Sequence, residues 1–450
     1  MSRTLKPVAT VWRPLGILLA GLCLWWPGTA GVATASEWSI AVEEVRARGG
    51  VTAWLVASHG QPVVAVRFAF AGGSAQEPPD KRGISSLLAE ALGDGAGGNP
   101  PDQLRRRLAA LSASVSFSAS RDAISGALDA PSAGIEQAAA LVGAEIASAR
   151  FQPEAVARLA SRGATRLAEL AGDPAVRAED AWFRAAFGDH HYAMSPAGTA
   201  ETLASITAAD LGRHRSRTMT RDRLHVAVAG DLDARRLERI LDLMFGALPE
   251  RGAFVDDPAP RLTAPARAVT ILRDATTSSV VFGLPAPGRR DPGYMPALVL
   301  NEIVGGGATA SRFGQALRVR SSLVYDVDSR LISDNRSSYL IGQLAAASAD
   351  AERAVSVVRE ELRRIVRDGV TEAEVENAKS YLTGSFPLSF DSSPKIAGNL
   401  LAIAQSGLGR DYPELRRRAI ERVSRDDVNR VAAEYFRPEL LIVSVARGEP

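Results

Sequence analysis

At 450 residues the chain exceeds one ordinary domain and points to two or three. Hydrophobic residues make up 46% and charged residues 23%, the balance of a globular protein with sizeable cores, which excludes disorder on a large scale. The formal charge is +2; the first 35 residues carry three basic and no acidic residues, so without them the chain sits at −1, which argues against a nucleic-acid partner.

Residues 1–35 read as a secretory signal peptide. Arg3, Lys6 and Arg13 form a positive start, 15–26 is an apolar run, and Ala33-Thr34-Ala35 offers a small-x-small cleavage site. The run is short for a bilayer span, so the expected location is periplasmic or secreted, with no membrane contact after cleavage; a retained anchor is the competing reading. Cys23, the only cysteine, lies inside this segment behind the bulky Leu22, which disfavours lipid attachment and leaves the mature chain without thiol chemistry.

Beyond it, 51–56 and 63–70 read as strands joined at His59-Gly60, a hairpin by proximity. A Gly-Gly turn and a Pro-Pro loop lead to a helix over 82–93, with Ile84, Leu87, Leu88, Ala91 and Leu92 on one stripe. Ser86, Ala89 and Glu90 fall on the opposite stripe. A glycine-rich loop then precedes a helix over 102–111, and 114–120 with 123–129 alternate as a second hairpin. Helices follow over 133–149, 153–170 and 174–187, the last two opened by proline, and 224–230 is a buried strand.

The stretch 249–266 is proline-rich, lacks periodicity and reads as a linker. After it the pattern restarts. A strand pair at 269–272 and 279–283 is followed by a helix over 295–304, strands at 323–329 and 339–344, more helices, and a last strand at 440–445. The chain therefore reads as an internal duplication, 36–248 and 267–450, each half an α+β domain with an antiparallel-rich sheet and helices packed on one side. The arginine runs 105–107 and 416–418 read as solvated helix faces.

Strand, loop, glycine and amphipathic helix, in that order, resemble the pitrilysin/insulinase-type metallopeptidases, including the mitochondrial processing peptidase. The later Phe187-Gly188-Asp189-His190-His191-Tyr192 segment and the strand ending in Gly230-Asp231 resemble the same family. In active members this helix carries His-x-x-Glu-His, two imidazole ligands and a general base on one helical face. The aligned residues here are Ser86, Ala89 and Glu90, and the family's spacing to its glutamate ligand lands on Arg166. No His-x-x-Glu-His or inverted form occurs in the sequence. His190 and His191 are adjacent and would point apart in extended chain, so the expectation is no metal and no cofactor in this chain. An ion pair between Glu90 and Arg166 is expected where the ligands would have met; the other reading is that both point independently into the water of an open chamber.

In the second half, Arg318 to Tyr325 resembles the family's Arg-x-x-x-Gly-Leu-x-Tyr segment, with Ser322 in place of glycine. The resemblance implies that Arg318 and Tyr325 contact substrate and transition state, as fixed donors suited to an oxyanion. Gly305, Gly306 and Gly307 resemble the glycine-rich segment of the non-catalytic processing-peptidase subunit, which contacts substrate; a plain glycine-rich helix terminus is the other reading. The implied function is a peptide-binding, non-catalytic subunit acting as a heterodimer with a zinc-bearing homologue. The alternative is a stand-alone peptide-binding or scaffold protein. A separate hydrolase centred on Ser85 or Ser86 lacks a His-and-acid signature in the sequence.

Overall fold

The computed structural model describes residues 38–95, 101–255, 259–260, 262, 267–272, 277–334 and 336–448. Residues 1–37, part of the loop after the first helix and part of the linker lie outside the described residues. Among the described residues no helix is long and apolar enough to cross a membrane.

The first half runs β1 (Glu43–Arg46), β2 (Thr52–Ala57), β3 (Val63–Ala71), α1 (Ile84–Gly93), α2 (Pro101–Ala110), β4 (Ser114–Ala119) and β5 (Ala123–Pro131). It continues through α3 (Ile135–Ser148), α4 (Pro153–Leu170), α5 (Pro174–Phe187), α6 (Ala200–Ser205), α7 (Ala208–Thr218), β6 (Leu224–Gly230) and α8 (Ala234–Phe245). The second half repeats the plan with β7 (Arg267–Leu272), β8 (Thr277–Pro285), α9 (Tyr294–Asn301), β9 (Val324–Ser333) and β10 (Ser338–Ala347). Then come α10 (Ala351–Asp368), α11 (Glu372–Gly384), α12 (Ser393–Gln405), α13 (Tyr412–Glu421), α14 (Arg425–Tyr435) and β11 (Ile442–Gly448).

The strands form two sheets, β1-β2-β6-β3-β5-β4 and β7-β11-β8-β10-β9. The β4–β5 hairpin is present as expected. The other two expected strand pairs are not. β6 lies between β2 and β3, parallel to β2, and β11 lies between β7 and β8, parallel to β7. Strands so close in the chain are expected to pair with each other, but in each sheet the late strand is apolar enough to need a central, doubly covered place.

Strand alternation sorts the core. On β3, Val64, Val66, Phe68 and Phe70 face the helices of their own half, while Ala65 and Ala69 face the other side. That other side is covered by α12 of the second half, through Ala397, Leu400 and Leu401. Reciprocally, α5 of the first half lies on the second sheet, where Ala178, Trp182, Phe183, Ala186 and Phe187 meet Val281, Ile442 and Ala446. The Trp182 indole N–H donates to the Ile442 carbonyl at 3.2 Å. Each half thus packs its own helices on one sheet face, as expected, and lends one helix to the other half.

The 416–418 run also departs from a simple solvated face. Arg416 lies half-buried, its guanidinium 4.2 Å above the Phe386 ring and bonded to the Leu382 carbonyl at 3.1 Å.

Candidate functional site

Helix α1 begins at a glycine because nothing else fits. Gly83 has φ +89, and a Cβ there would meet the Ala197 carbonyl oxygen at 2.8 Å. The cap comes from outside the helix: Glu77 accepts the backbone N–H groups of Gly83 and Ser85, each at 2.8 Å. Burial pushes the Glu77 carboxyl up to about 7.

Of the three aligned positions on α1, Glu90 is exposed and Ser86 half-buried. Ala89, whose side chain has no polar atom, is buried at 3% exposure. The Ser86 hydroxyl donates to the Pro196 carbonyl at 2.7 Å. Glu90 is ion-paired, but with Arg162 at 3.2 Å; Arg162 also donates to Asp94 at 2.6 Å. Arg166, one turn further along α4, is exposed and does not take this place. The expected Glu90–Arg166 pair is therefore corrected to Glu90–Arg162.

These positions do not suit zinc. The metal needs three or four nitrogen, sulfur or oxygen donors converging on one point. Ala89 has none, Arg166 is a cation, the Ser86 hydroxyl is engaged by backbone, and Glu90 by a guanidinium. Among the described residues no three His, Cys, Asp or Glu side chains are grouped to hold a metal ion.

The histidines sit otherwise than expected. The rings of His190 and His191 lie 4.1 Å apart rather than pointing away from each other, because the chain tightens into a 3-10 turn at His191–Ala193. They line a cavity of about 270 Å³ with Glu77, Arg82 and Asp189. His214, on α7, lies 2.9 Å from the Ser85 hydroxyl, which itself donates to the Gly73 carbonyl. A serine–histidine contact thus exists where the sequence showed none. Both residues are sealed, Ser85 at 0% and His214 at 3% exposure, and Nδ1 of His214 meets no acid. Burial lowers the imidazole to about 4. Without an orienting acid or access for a substrate, the pair is structural.

In the second half, α9 gives way to a π-helical turn, Glu302–Gly306, and a second one spans Gly314–Arg320. π-turns of this kind recur at functional sites. Gly305 is buried, and a Cβ there would strike the Ser329 hydroxyl at 2.2 Å, so this glycine allows close packing. Gly306 is exposed and Gly307 half-exposed. Arg318 is exposed and donates to the Thr309 hydroxyl at 3.3 Å, which brings it beside the segment that follows the glycine run. Ser322, in left-handed conformation at φ +51, turns the chain into β9. There Val324 and Val327 are buried, while Tyr325 is 70% exposed on the edge strand of its sheet. Glu77 and His214 escaped sequence reasoning. An acid a few residues before a capless glycine was the available signal for the first; for the second there was none.

Residues 53–200 match the family model described as Insulinase (Peptidase family M16), and 205–382 match that of the Peptidase M16 inactive domain. The chain belongs to the M16 peptidase family, as a member without the zinc motif. A Mycobacterium bovis protein described as an uncharacterized zinc protease is 31% identical over 270 residues, 58% of this chain and 60% of its own length. This chain thus spans less than two thirds of that relative. A Helicobacter pylori relative described as a non-peptidase homolog is 20% identical over 83% of this chain and 86% of its own. The fold is that of the crystal structure of a peptidase M16 inactive domain from Pseudomonas fluorescens, with a TM-score of 0.85 at 22% identity, covering 91% of this chain and 98% of that one.

Proposed function

We propose that this chain is the non-catalytic, peptide-binding subunit of a pitrilysin/insulinase-type zinc peptidase, exported to the periplasm and working with a zinc-bearing homologue. The observation that carries the proposal is the contrast between the two halves. Helix α1 keeps its place in the core, while its ligand positions hold Ser86, Ala89 and Glu90 with Glu90 bound by Arg162. Arg318 and Tyr325 stand exposed in the second half, free to meet a peptide or a partner's site. A guanidinium and a phenol are fixed donors for a peptide carbonyl as it becomes an oxyanion. Gly306 and Gly307 would let a substrate backbone approach closely, and the zinc would reside in the partner.

The purified chain alone is expected to hold no stoichiometric zinc and to cleave no peptide; about one tightly bound zinc per chain by metal analysis would overturn this. Mixed with a His-x-x-Glu-His homologue, it should support cleavage. Arg318→Ala or Tyr325→Phe should then lower turnover by roughly 10²- to 10³-fold, the cost of one transition-state donor. Unchanged kinetics of the mixed complex would remove the assigned roles. Peptide binding by the chain alone, with no stimulation of any zinc homologue, would favour a stand-alone binding protein, in line with the name of its Helicobacter relative.

A further inference from the structure

Between the two sheets lies a cavity of about 590 Å³, whose lining includes neither Arg318 nor any residue of α1. Its walls are the loop after β8, the turn joining β9 to β10, the C-terminal end of α12, and His225 of β6. Three arginines line it, Arg289, Arg290 and Arg336, and Asp334 is the one carboxylate among its described lining residues. One carboxylate against three arginines leaves this lining with an excess of positive charge. Asp334 accepts the Tyr339 hydroxyl at 2.9 Å, and burial, then the nearby Asp122, push its pKa up to about 6.

Two polar atoms of this lining are sealed from solvent and lack a hydrogen-bond partner: Nε of Arg289 and Oγ of Ser337. Ser337 as a whole is only 7% exposed. A guanidinium Nε–H can only donate, and a hydroxyl has a proton to give. Buried polar groups left unmatched are rare in native proteins because each carries a desolvation cost. What is missing is an acceptor, and a cluster of guanidinium groups favours an anionic one.

The lining is held in place by neighbours. The Arg289 backbone N–H donates to the Ser333 hydroxyl at 3.2 Å, and its guanidinium lies 5.9 Å from the Tyr294 ring centre. Arg290 donates to the Gly407 carbonyl at 3.2 Å. Gly407 has φ +63, and any Cβ there would collide with that same guanidinium, so the glycine keeps the rim open.

We propose that this cavity is an oxyanion site, taking the free carboxylate of a peptide C-terminus or inorganic phosphate, with Arg289 Nε and Ser337 Oγ as paired donors. The site is independent of the zinc-bearing partner. It is tested by calorimetric titration of the full chain with an N-acetylated dipeptide acid, with the corresponding dipeptide amide, and with inorganic phosphate. One-to-one binding of the acid but not the amide supports the site and names peptide ends as its source; binding of phosphate supports it with free phosphate as the source. Either interaction should weaken roughly ten-fold or more in Arg289→Lys, which keeps the charge but loses the Nε fork, and should also weaken in Ser337→Ala. Circular dichroism confirms that each variant is folded, and should Arg289→Lys fail to fold, Ser337→Ala carries the test. Absence of binding by both anions at millimolar concentration, or wild-type affinity in the folded variants, overturns the proposal.

Discussion

Ser322 turns the chain from the second π-helical stretch into β9 with φ +51, a conformation that costs a residue bearing a Cβ on the order of 1 kcal/mol or more. The family pattern has glycine at this position, and the backbone shows why. Ser322→Gly should raise stability by about 0.5–1 kcal/mol, after allowing for the larger entropy glycine loses on folding, read as a higher denaturant midpoint. Two buried groups near α1 set opposing pH dependences. Glu77 is raised from 4.5 to about 7, so its contribution is full below pH 4.5 and lost as pH rises to about 7. His214 is lowered from 6.5 to about 4, so its contribution is full above pH 6.5 and lost as pH falls to about 4. Asp334, raised to about 6, acts in the same sense as Glu77. In Glu77→Gln the histidine gradient is less opposed, and thermal midpoints should fall more steeply than wild type between pH 6.5 and 4.5. Parallel profiles for the two proteins would show that folding leaves the Glu77 pKa unshifted.

Helix α1 persists without its ligands because its packing never depended on them. Ile84, Leu87, Leu88, Ala91 and Leu92 are buried in the first core, and Glu77 satisfies the N-terminus. The Glu90–Arg162 pair that bridges it to α4 is no structural substitute for a metal. With side chains 44% and 59% exposed, such a pair is worth about 0–1 kcal/mol. Arg162→Ala should therefore change stability by less than about 1 kcal/mol by chemical denaturation, and a larger loss would show that the pair has a structural weight its exposure conceals. The exchanged helices are the opposite case. Trp182 on α5 and Leu400 on α12 are both fully buried against the sheet of the other half. Trp182→Ala should cost about 3–5 kcal/mol and Leu400→Ala about 2–5 kcal/mol.

The exchange of α5 and α12 makes the two halves one cooperative body, since neither sheet is covered on both faces by its own chain segment. Calorimetry of the full chain should show one unfolding transition, and Trp182→Ala or Leu400→Ala should move that transition as a whole. Two separated transitions, with each substitution shifting only one, would show that the halves fold independently despite the shared helices. The same arrangement creates the cavity between the sheets, whose lining is drawn from β6, the β9–β10 turn and the end of α12.

Periodicity and punctuation in the sequence determined the element types, the duplication and several boundaries. Proline at the first turn of α4 and α5 marked both starts, and the apolar stripe of α1 was legible in five residues. The absence of ligand-type residues at Ser86, Ala89 and Arg166 could also be read directly, because residue type alone decides whether a donor exists. Pairing was not legible. β6 and β11 insert between strands that are adjacent in sequence, since only the sum of contacts on both sheet faces decides which apolar strand is central. Nor could sequence decide whether Arg162 or Arg166 meets Glu90, because the two lie one turn apart on one face of α4 and differ only in reach. The contact of Ser85 with His214, the exchange of helices and the unmatched donors of Arg289 and Ser337 join residues far apart in the chain. Such neighbours are set by the tertiary fold, because they depend on where two faces finally meet and not on the local preferences of either.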